Sequence, residues 1–163
     1  MIQSILYATD LGIYSSSVLQ HALSLARAHD AKLYVVHAVE PLGLFADSIL
    51  QTYMDASTLA QLNKQGFNTV LANIEQRVIE CLRDEMGETA QEFDHIRLVR
   101  VVQGDPAQVI LDQSHDLAVD LIVLGSHSHG STWDTPLGRT AGKVLQMADV
   151  PVYLVPMLQH RSH

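Results

Sequence analysis

The sequence predicts an α/β domain in which a doubly wound, five-stranded parallel sheet carries helices on both faces. Short apolar runs without polar alternation are typical of strands that are buried on both faces. Between these runs lie longer segments whose apolar residues recur every three or four positions, as in amphipathic helices. With helices on both faces, right-handed crossovers require the winding to reverse once, which predicts the strand order 3-2-1-4-5.

The first two strands and the helix between them have clear signals. Residues 2–8 and 33–39 are nearly continuous apolar runs. A serine cluster at 15–17 offers an N-cap for a helix that runs to about His29. The following segment, residues 41–59, is the least regular part of the chain. A segment of this length in a compact domain is usually a lid, a binding loop or an oligomer contact.

The longest helix is predicted to start at Ser57 or Leu62 and to end at Met86, with Gly87 as its C-cap. Its pattern includes Cys81, the only cysteine, which excludes an internal disulfide. We expect this cysteine to be a buried small hydrophobic residue. A single cysteine also fits a reducing compartment.

The remaining elements alternate between strand and helix. Two arginines in the third strand, residues 96–102, suit a position at the edge of the sheet. The next helix has Pro106 at its first position. Residues 121–124 form the fourth strand, residues 138–147 the last helix, and residues 151–155 a fifth strand that is bracketed by prolines.

Composition restricts the classes of function. The formal charge of −8, from 18 acidic and 10 basic residues, opposes binding to nucleic acid. No apolar run reaches the ~20 residues that a membrane span needs, and the N-terminus lacks the features of a signal peptide. We therefore expect a cytoplasmic protein whose single domain spans residues 1–157, followed by a frayed tail at residues 158–163.

The topology predicts one ligand site. Ligands of doubly wound sheets bind at the carboxyl ends of the strands where the winding reverses, which brings Asp10 beside Gly125. The loop after Gly125 leads into a helix whose first amides, those of Arg139 and Thr140, are unpaired within the helix. A strand, a small-residue loop and a helix N-terminus together indicate a phosphate cradle. The alternative is that the glycines only form turns.

Two histidines and one aspartate allow more than one interpretation. His127 and His129 are spaced to bind zinc or copper. No third ligand is obvious unless Asp10 or His37 approaches, so we expect loop or ligand-contacting histidines and no metal site. Asp10 could contact a ligand amine, a ribose or a hydrated metal, or it could cap the first helix or bind loop amides. No nucleophile with a base stands out, so no catalytic residue is predicted.

Five segments of the sequence carry a family pattern: ILYATD at 5–10, GDPA at 104–107, AVDLIVLGSH at 118–127, LGRTAGKVL at 137–145 and PVYLVP at 151–156. Together they resemble the universal stress protein family, whose fold is flavodoxin-like and similar to that of the adenine nucleotide alpha hydrolases. The resemblance implies a regulatory module that binds ATP, AMP or ADP with magnesium and hydrolyses ATP slowly at most. It also implies a homodimer built through the last strand, Val152–Val155, and an unknown protein partner.

The resemblance also implies a set of site residues. The adenine and ribose contacts fall on Ala8, Thr9, Asp10 and Ala38. The phosphate contacts fall on Gly125, His127, Ser128, Gly138, Arg139 and Thr140, and the cofactor-binding set is completed by Leu124 and Gly130.

Family members that bind ATP share a motif of Gly, two residues, Gly, nine residues, Gly, and then Ser or Thr. Gly125 and Gly138 match it, whereas Ser128 and Arg139 do not. Ser128 either costs about 1 kcal/mol, if a positive φ is needed, or donates its hydroxyl to a phosphate. Arg139 either clamps phosphate oxygens, fills the pocket or pairs with Asp134. We expect nucleotide binding to be retained. The alternative is a nucleotide-free dimer that acts through protein–protein contacts.

Overall fold

The computed structural model of the chain describes residues 1–12, 14–40, 55–86, 94–127 and 137–156. In chain order the elements are β1 (Ser4–Ala8), α1 (Ser15–His29), β2 (Lys32–Val39), α2 (Ala56–Met86), β3 (Ile96–Gln103), α3 (Pro106–Asp116), β4 (Leu121–Gly125), α4 (Arg139–Met147) and β5 (Val152–Val155). The strands form one parallel sheet in the order β3-β2-β1-β4-β5. The predicted fold class, strand order and edge position of the third strand are therefore confirmed.

The central strand, β1, fixes where the winding reverses. Ile5 lies opposite Leu33 of β2 on one side and opposite Leu121 of β4 on the other. The chain continues from β1 to β2 in one direction and later returns to the opposite side of β1 with β4. The carboxyl ends of β1, β2 and β4 therefore meet at one edge of the sheet.

Alternate residues of each strand enter two separate hydrophobic cores. On β1, Ile5 and Tyr7 enter the core that α1 and α2 cover, and Leu6 enters the core beneath α3 and α4. All three side chains are at most 1% exposed. Burying each contributes roughly 1.5–3 kcal/mol, which explains why these strands read as unbroken apolar runs.

The helix starts differ in how they are capped. Asp105 caps α3 by accepting from the Gln108 N–H at 3.1 Å, and Pro106 takes the first helical position as predicted. The expected serine cap of α1 is wrong: Tyr14 is the N-cap residue and its side chain makes no cap hydrogen bond. The Ser15 N–H instead donates to the Gly12 carbonyl at 3.0 Å, so the preceding backbone turn supplies the acceptor.

The longest helix, α2, has a narrow buried stripe. Val78, Leu82 and Met86 are buried at a spacing of four residues. Cys81 is exposed, so the expectation that it is buried is wrong. A stripe at this spacing covers a limited arc of the helix, and the position beside Leu82 points away from it.

Several predictions concern residues that the structure does not describe. These are the proposed C-cap Gly87, most of the irregular segment 41–59 and the tail at 158–163. Within the described ranges, no helix combines the length and the apolar character that a membrane crossing requires.

Candidate functional site

A cleft of about 290 Å³ opens at the carboxyl edge of the sheet. Its volume lies near the lower bound of small-molecule sites, roughly 300 Å³. The predicted site residues that line it are Ala8, Thr9, Asp10, Ala38, Leu124, Gly125, His127, Gly138 and Thr140. The turns after β1 and β4, which are far apart in the sequence, therefore meet around one cavity.

Of the other three predicted site residues, the structure describes only one. Arg139 is exposed and lies outside the lining. Ser128 and Gly130 lie outside the described residues, as does His129. The choice between the two interpretations of Ser128 therefore stays a prediction.

The cleft also has lining residues that the site prediction did not contain. The main ones are Tyr14, Val36, His37, Glu40, Ile110 and Ser126. His37 and Glu40 lie at or just past the end of β2, and Ser126 follows β4. These three residues could have been predicted from their position at strand ends, because the carboxyl ends of parallel strands share one edge.

The turn after β1 is held by its own side chains. The Thr9 hydroxyl oxygen accepts from the Leu11 N–H at 3.1 Å, and the Asp10 carboxylate accepts from the Gly12 N–H at 2.8 Å. Leu11 has a φ of 59°, which few non-glycine residues adopt. These two amides are consequently occupied, and Asp10 has the structural role that was one of its two interpretations.

The glycine before α4 is required by a crossing of the chain. The Gly138 N–H donates to the Ser126 carbonyl at 2.8 Å. A Cβ on Gly138 would stand 2.8 Å from that oxygen and 3.1 Å from the His127 Cα. On Gly125, a Cβ would come within 3.3 Å of Val18. Close packing therefore explains both motif glycines, Gly125 and Gly138. Their presence alone does not indicate a phosphate-binding site.

The first turn of α4 is the better sign of an anion site. The helix is nine residues long, and its N-cap residue, Gly138, has no side chain that could cap it. Its first internal bond joins the Gly142 N–H to the Gly138 carbonyl at 2.9 Å. The N–H groups of Arg139, Thr140 and Ala141 have no acceptor among the described residues. Thr140 and Ala141 line the cleft and Arg139 precedes them, so these donors bring the partial positive charge of a helix N-terminus to this end of the cleft.

Polar side chains in the cleft wall are organised by short hydrogen bonds. The Nδ1 atom of His37 lies 2.7 Å from the Thr9 carbonyl oxygen. The Ser126 hydroxyl lies 2.8 Å from Nδ1 of His127. Tyr7 donates its hydroxyl to the Ser15 carbonyl at 3.0 Å, and burial raises the pKa of this hydroxyl. Tyr7 is therefore a neutral donor across the physiological pH range.

Charged groups surround the start of α4 on its outer side. Lys143 lies 3.2 Å from the Asp105 carboxylate. The Gln108 backbone N–H, and then Lys143, hold the pKa of Asp105 below its usual value, and the charge of Arg139 acts in the same direction. Among the described residues, no group of three or more His, Cys, Asp or Glu side chains could hold a metal ion.

Comparison with known proteins identifies the family. The family model described as Universal stress protein family matches residues 1–156. The chain belongs to the universal stress protein family. A universal stress protein of Thermus aquaticus is 29% identical over 155 residues, which span 95% of this chain and 99% of that protein. Universal stress protein MJ0577 of Methanocaldococcus jannaschii is 24% identical over 160 residues, with 95% of each chain covered.

Solved universal stress protein structures share the fold. The structure of MJ0577 superposes with a TM-score of 0.65 and 19% identity, and the alignment covers 98% of this chain and 99% of that one. A universal stress protein solved in complex with cAMP superposes with a TM-score of 0.59 and 17% identity, covering 96% and 98%. At these identities the likeness establishes the flavodoxin-like architecture.

Proposed function

We propose that this universal stress protein is a regulatory module that binds an adenine nucleotide in the cleft. The observation that carries the proposal is a cavity of small-molecule size lined by Thr140 and Ala141. The N–H groups of these two residues and of Arg139 have no acceptor among the described residues. A phosphate at a helix N-terminus accepts hydrogen bonds from such amides and is stabilised by the helix dipole.

The rest of the cleft fits a nucleoside. Ala8, Val36, Ala38 and Leu124 give it an apolar wall, against which a purine base would be buried. Asp10 follows β1 and lines the same cleft. A ribose hydroxyl would donate to a carboxylate placed there.

Two further features support a nucleotide as the ligand. Thr140, in the first turn of α4, is one of the residues that line the cleft, and its hydroxyl would add a donor to a phosphate site. Magnesium would bridge the phosphates of ATP and reduce their repulsion from a chain with a formal charge of −8. The relative solved with cAMP makes adenine nucleotides the first ligands to test.

The regulatory part of the proposal concerns assembly. β5 lies at the outer edge of the sheet, and an unpaired edge is a template for pairing with a second copy. We propose a homodimer through Val152–Val155, whose surface, or that of the loops around the cleft, is presented to a protein partner. Binding would act by shifting populations between states of that surface, with ATP hydrolysis slow at most.

The test is the small-molecule content and the ligand affinity of the purified protein. Denaturation is expected to release adenine nucleotide, which mass spectrometry identifies. After the nucleotide has been removed, calorimetric titration with Mg-ATP, AMP and cAMP is expected to give saturable binding at one site per chain. If no nucleotide is released and millimolar Mg-ATP causes no thermal shift, the proposal fails and a nucleotide-free dimer becomes the better description.

A further inference from the structure

The tautomer of His37 is fixed by its neighbour. His37 lies near the carboxyl end of β2, and its Nδ1 is 2.7 Å from the carbonyl oxygen of Thr9. A carbonyl oxygen can only accept, so Nδ1 carries a proton. In the neutral imidazole, Nε2 then has a lone pair and acts as a hydrogen-bond acceptor.

The second ring nitrogen of His37 is accessible. Nε2 makes no hydrogen bond to any residue in the described parts of the chain. It is also not buried, because no buried side-chain nitrogen or oxygen in those parts lacks a partner. Since the half-buried ring lines the cleft and Nδ1 is turned to Thr9, a ligand in the cleft can reach Nε2.

His37 lies at the end of the cleft that is remote from the amides of α4. β2 and β4 flank β1 on opposite sides, and neighbouring strands are about 4.8 Å apart, so the two ends of the cleft are separated by roughly 10 Å. Asp10 and Glu40 also line the cleft on the side of β1 and β2. This acidic end disfavours a phosphate and favours a group that donates hydrogen bonds.

We propose that His37 is a specificity-determining residue whose Nε2 accepts a hydrogen bond from the non-phosphate end of the ligand. The donor is an N–H or O–H group, supplied by the exocyclic amine of the base or by a sugar hydroxyl. The inference rests on the proposed nucleotide binding. It requires that a ligand with an acceptor in place of this donor, such as a ring carbonyl, binds more weakly, since two lone pairs would then face each other.

Calorimetric titration of His37→Phe tests the inference, since phenylalanine keeps the ring shape and removes both nitrogens. AMP is expected to bind about tenfold more weakly to this variant than to the wild type. The matched control is His115→Phe, at an exposed position of α3 outside the cleft, and it is expected to leave the affinity unchanged. Equal AMP affinity of wild type and His37→Phe overturns the inference.

Analogues distinguish the two sources of the donor. If the amine is the donor, wild type prefers AMP to IMP, and His37→Phe loses that preference. If a sugar hydroxyl is the donor, 2′-deoxy-AMP or 3′-deoxy-AMP binds wild type as weakly as AMP binds His37→Phe. Failure of wild type to bind AMP at all would instead refute the proposed function, so the two failures are distinguishable.

A second measurement keeps the inference testable if His37→Phe folds poorly, because that variant leaves the Thr9 carbonyl without its partner. Nitrogen-15 spectra recorded where the imidazole is neutral are expected to show the tautomer of His37 that carries its proton on Nδ1. Addition of AMP is expected to shift the Nε2 resonance toward that of a hydrogen-bonded acceptor. An Nε2 signal that stays unchanged at saturating AMP contradicts the inference.

Discussion

Gly138 and Ser126 are joined through their main chains at the wall of the cleft. The Gly138 N–H donates to the Ser126 carbonyl at 2.8 Å, and a Cβ on Gly138 would lie 2.8 Å from the same oxygen. The residue that caps α4 is thereby held against the segment that follows β4. This bond fixes the direction in which the first amides of α4 point.

Gly138→Ala is expected to destabilise the fold by about 1–3 kcal/mol, because the added Cβ meets backbone atoms that cannot move aside. Gly142→Ala in the same helix is the control. There the nearest atom outside the helix backbone is Leu137 Cδ2 at 3.7 Å, and alanine in a helix interior is favoured over glycine by about 1 kcal/mol. Urea unfolding measures the change in unfolding free energy for each variant. Equal changes for Gly138→Ala and Gly142→Ala would contradict the explanation that Gly138 is required by the crossing with Ser126.

Arg139→Pro is expected to weaken Mg-ATP binding about tenfold relative to Arg139→Ala. Proline removes the first amide of α4 and suits the first helical position. Gly138, with φ −62° and ψ 150°, already has the backbone conformation that precedes a proline. Alanine removes only the guanidinium and keeps the amide, so the pair isolates the amide. Calorimetric titration measures the Mg-ATP affinity of both variants. Equal melting temperatures of the two variants show that any difference in affinity does not come from unfolding.

The same pair of variants tests the side chain of Arg139. The guanidinium is exposed outside the cleft lining, so Arg139→Ala is expected to bind Mg-ATP as wild type does. A large loss in Arg139→Ala would instead support the phosphate-clamp interpretation. Affinities that agree among all three proteins would contradict a phosphate site at this amide.

Asp120→Asn is expected to lower stability near neutral pH and to have less effect in acid. The Asp120 carboxylate accepts from the Gln3 and Ser4 N–H groups at 2.9 and 3.1 Å. These bonds hold its pKa below the ordinary value of 3.8. A depressed pKa in the folded state stabilises the fold above pH 3.8, and this stability is lost as the pH falls through the folded pKa.

Urea unfolding of wild type and Asp120→Asn at about pH 7 and about pH 3 checks this dependence. The difference in unfolding free energy is expected to shrink at the lower pH. Asp84→Asn, at an exposed position of α2, is the control and is expected to show little difference at either pH. A difference for Asp120→Asn that is independent of pH would refute the role of the carboxylate charge.

Leu154→Pro is expected to disrupt the proposed dimer more than Leu154→Ala does. The Pro151 and Val155 carbonyls of the last strand segment accept from Ile122 and Ser126, so the backbone groups of Leu154 point to the open edge. Proline removes an N–H from that edge, where it is tolerated within the subunit. Alanine removes the side chain and keeps the N–H.

Sedimentation of the two Leu154 variants separates edge pairing from side-chain packing. Leu154→Pro is expected to be monomeric at concentrations at which Leu154→Ala remains dimeric. If both variants dissociate equally, the dimer is stabilised by side-chain contacts and not by strand pairing. If neither variant dissociates, the dimer interface does not include this edge of the sheet.

Much of the fold was predictable because its signals are local. The apolar runs around Ile5 and Ile122 are strands that are buried on both faces, and the crossover rule then leaves few strand orders. Pro106 identifies a helix start because its ring fits only the first turn. The prediction for Cys81 is wrong because its offset from the buried stripe of α2, and not its residue type, decides its exposure.

The site was predictable in position and less so in detail. Asp10 follows β1 and Gly125 ends the adjacent strand β4, so topology alone brings them to one edge. The reason for Gly138 could not be predicted, because it depends on a crossing with Ser126 that no local pattern encodes. The tautomer of His37 likewise depends on the Thr9 carbonyl, which is 28 residues away in the sequence.

Val155 connects the segment after β4 to the last strand of the sheet. Its carbonyl accepts from the Ser126 N–H at 2.8 Å, and its strand forms the open edge of the sheet. A molecule that displaces Ser126 would act on the Val155 carbonyl, and a subunit that pairs with this edge would bond the backbone of Leu154, so the two events would act on adjacent residues of one strand. Any factor by which one event changes the equilibrium constant of the other must be equal in both directions. Titrations at several protein concentrations would reveal such reciprocity as an affinity that varies with dilution.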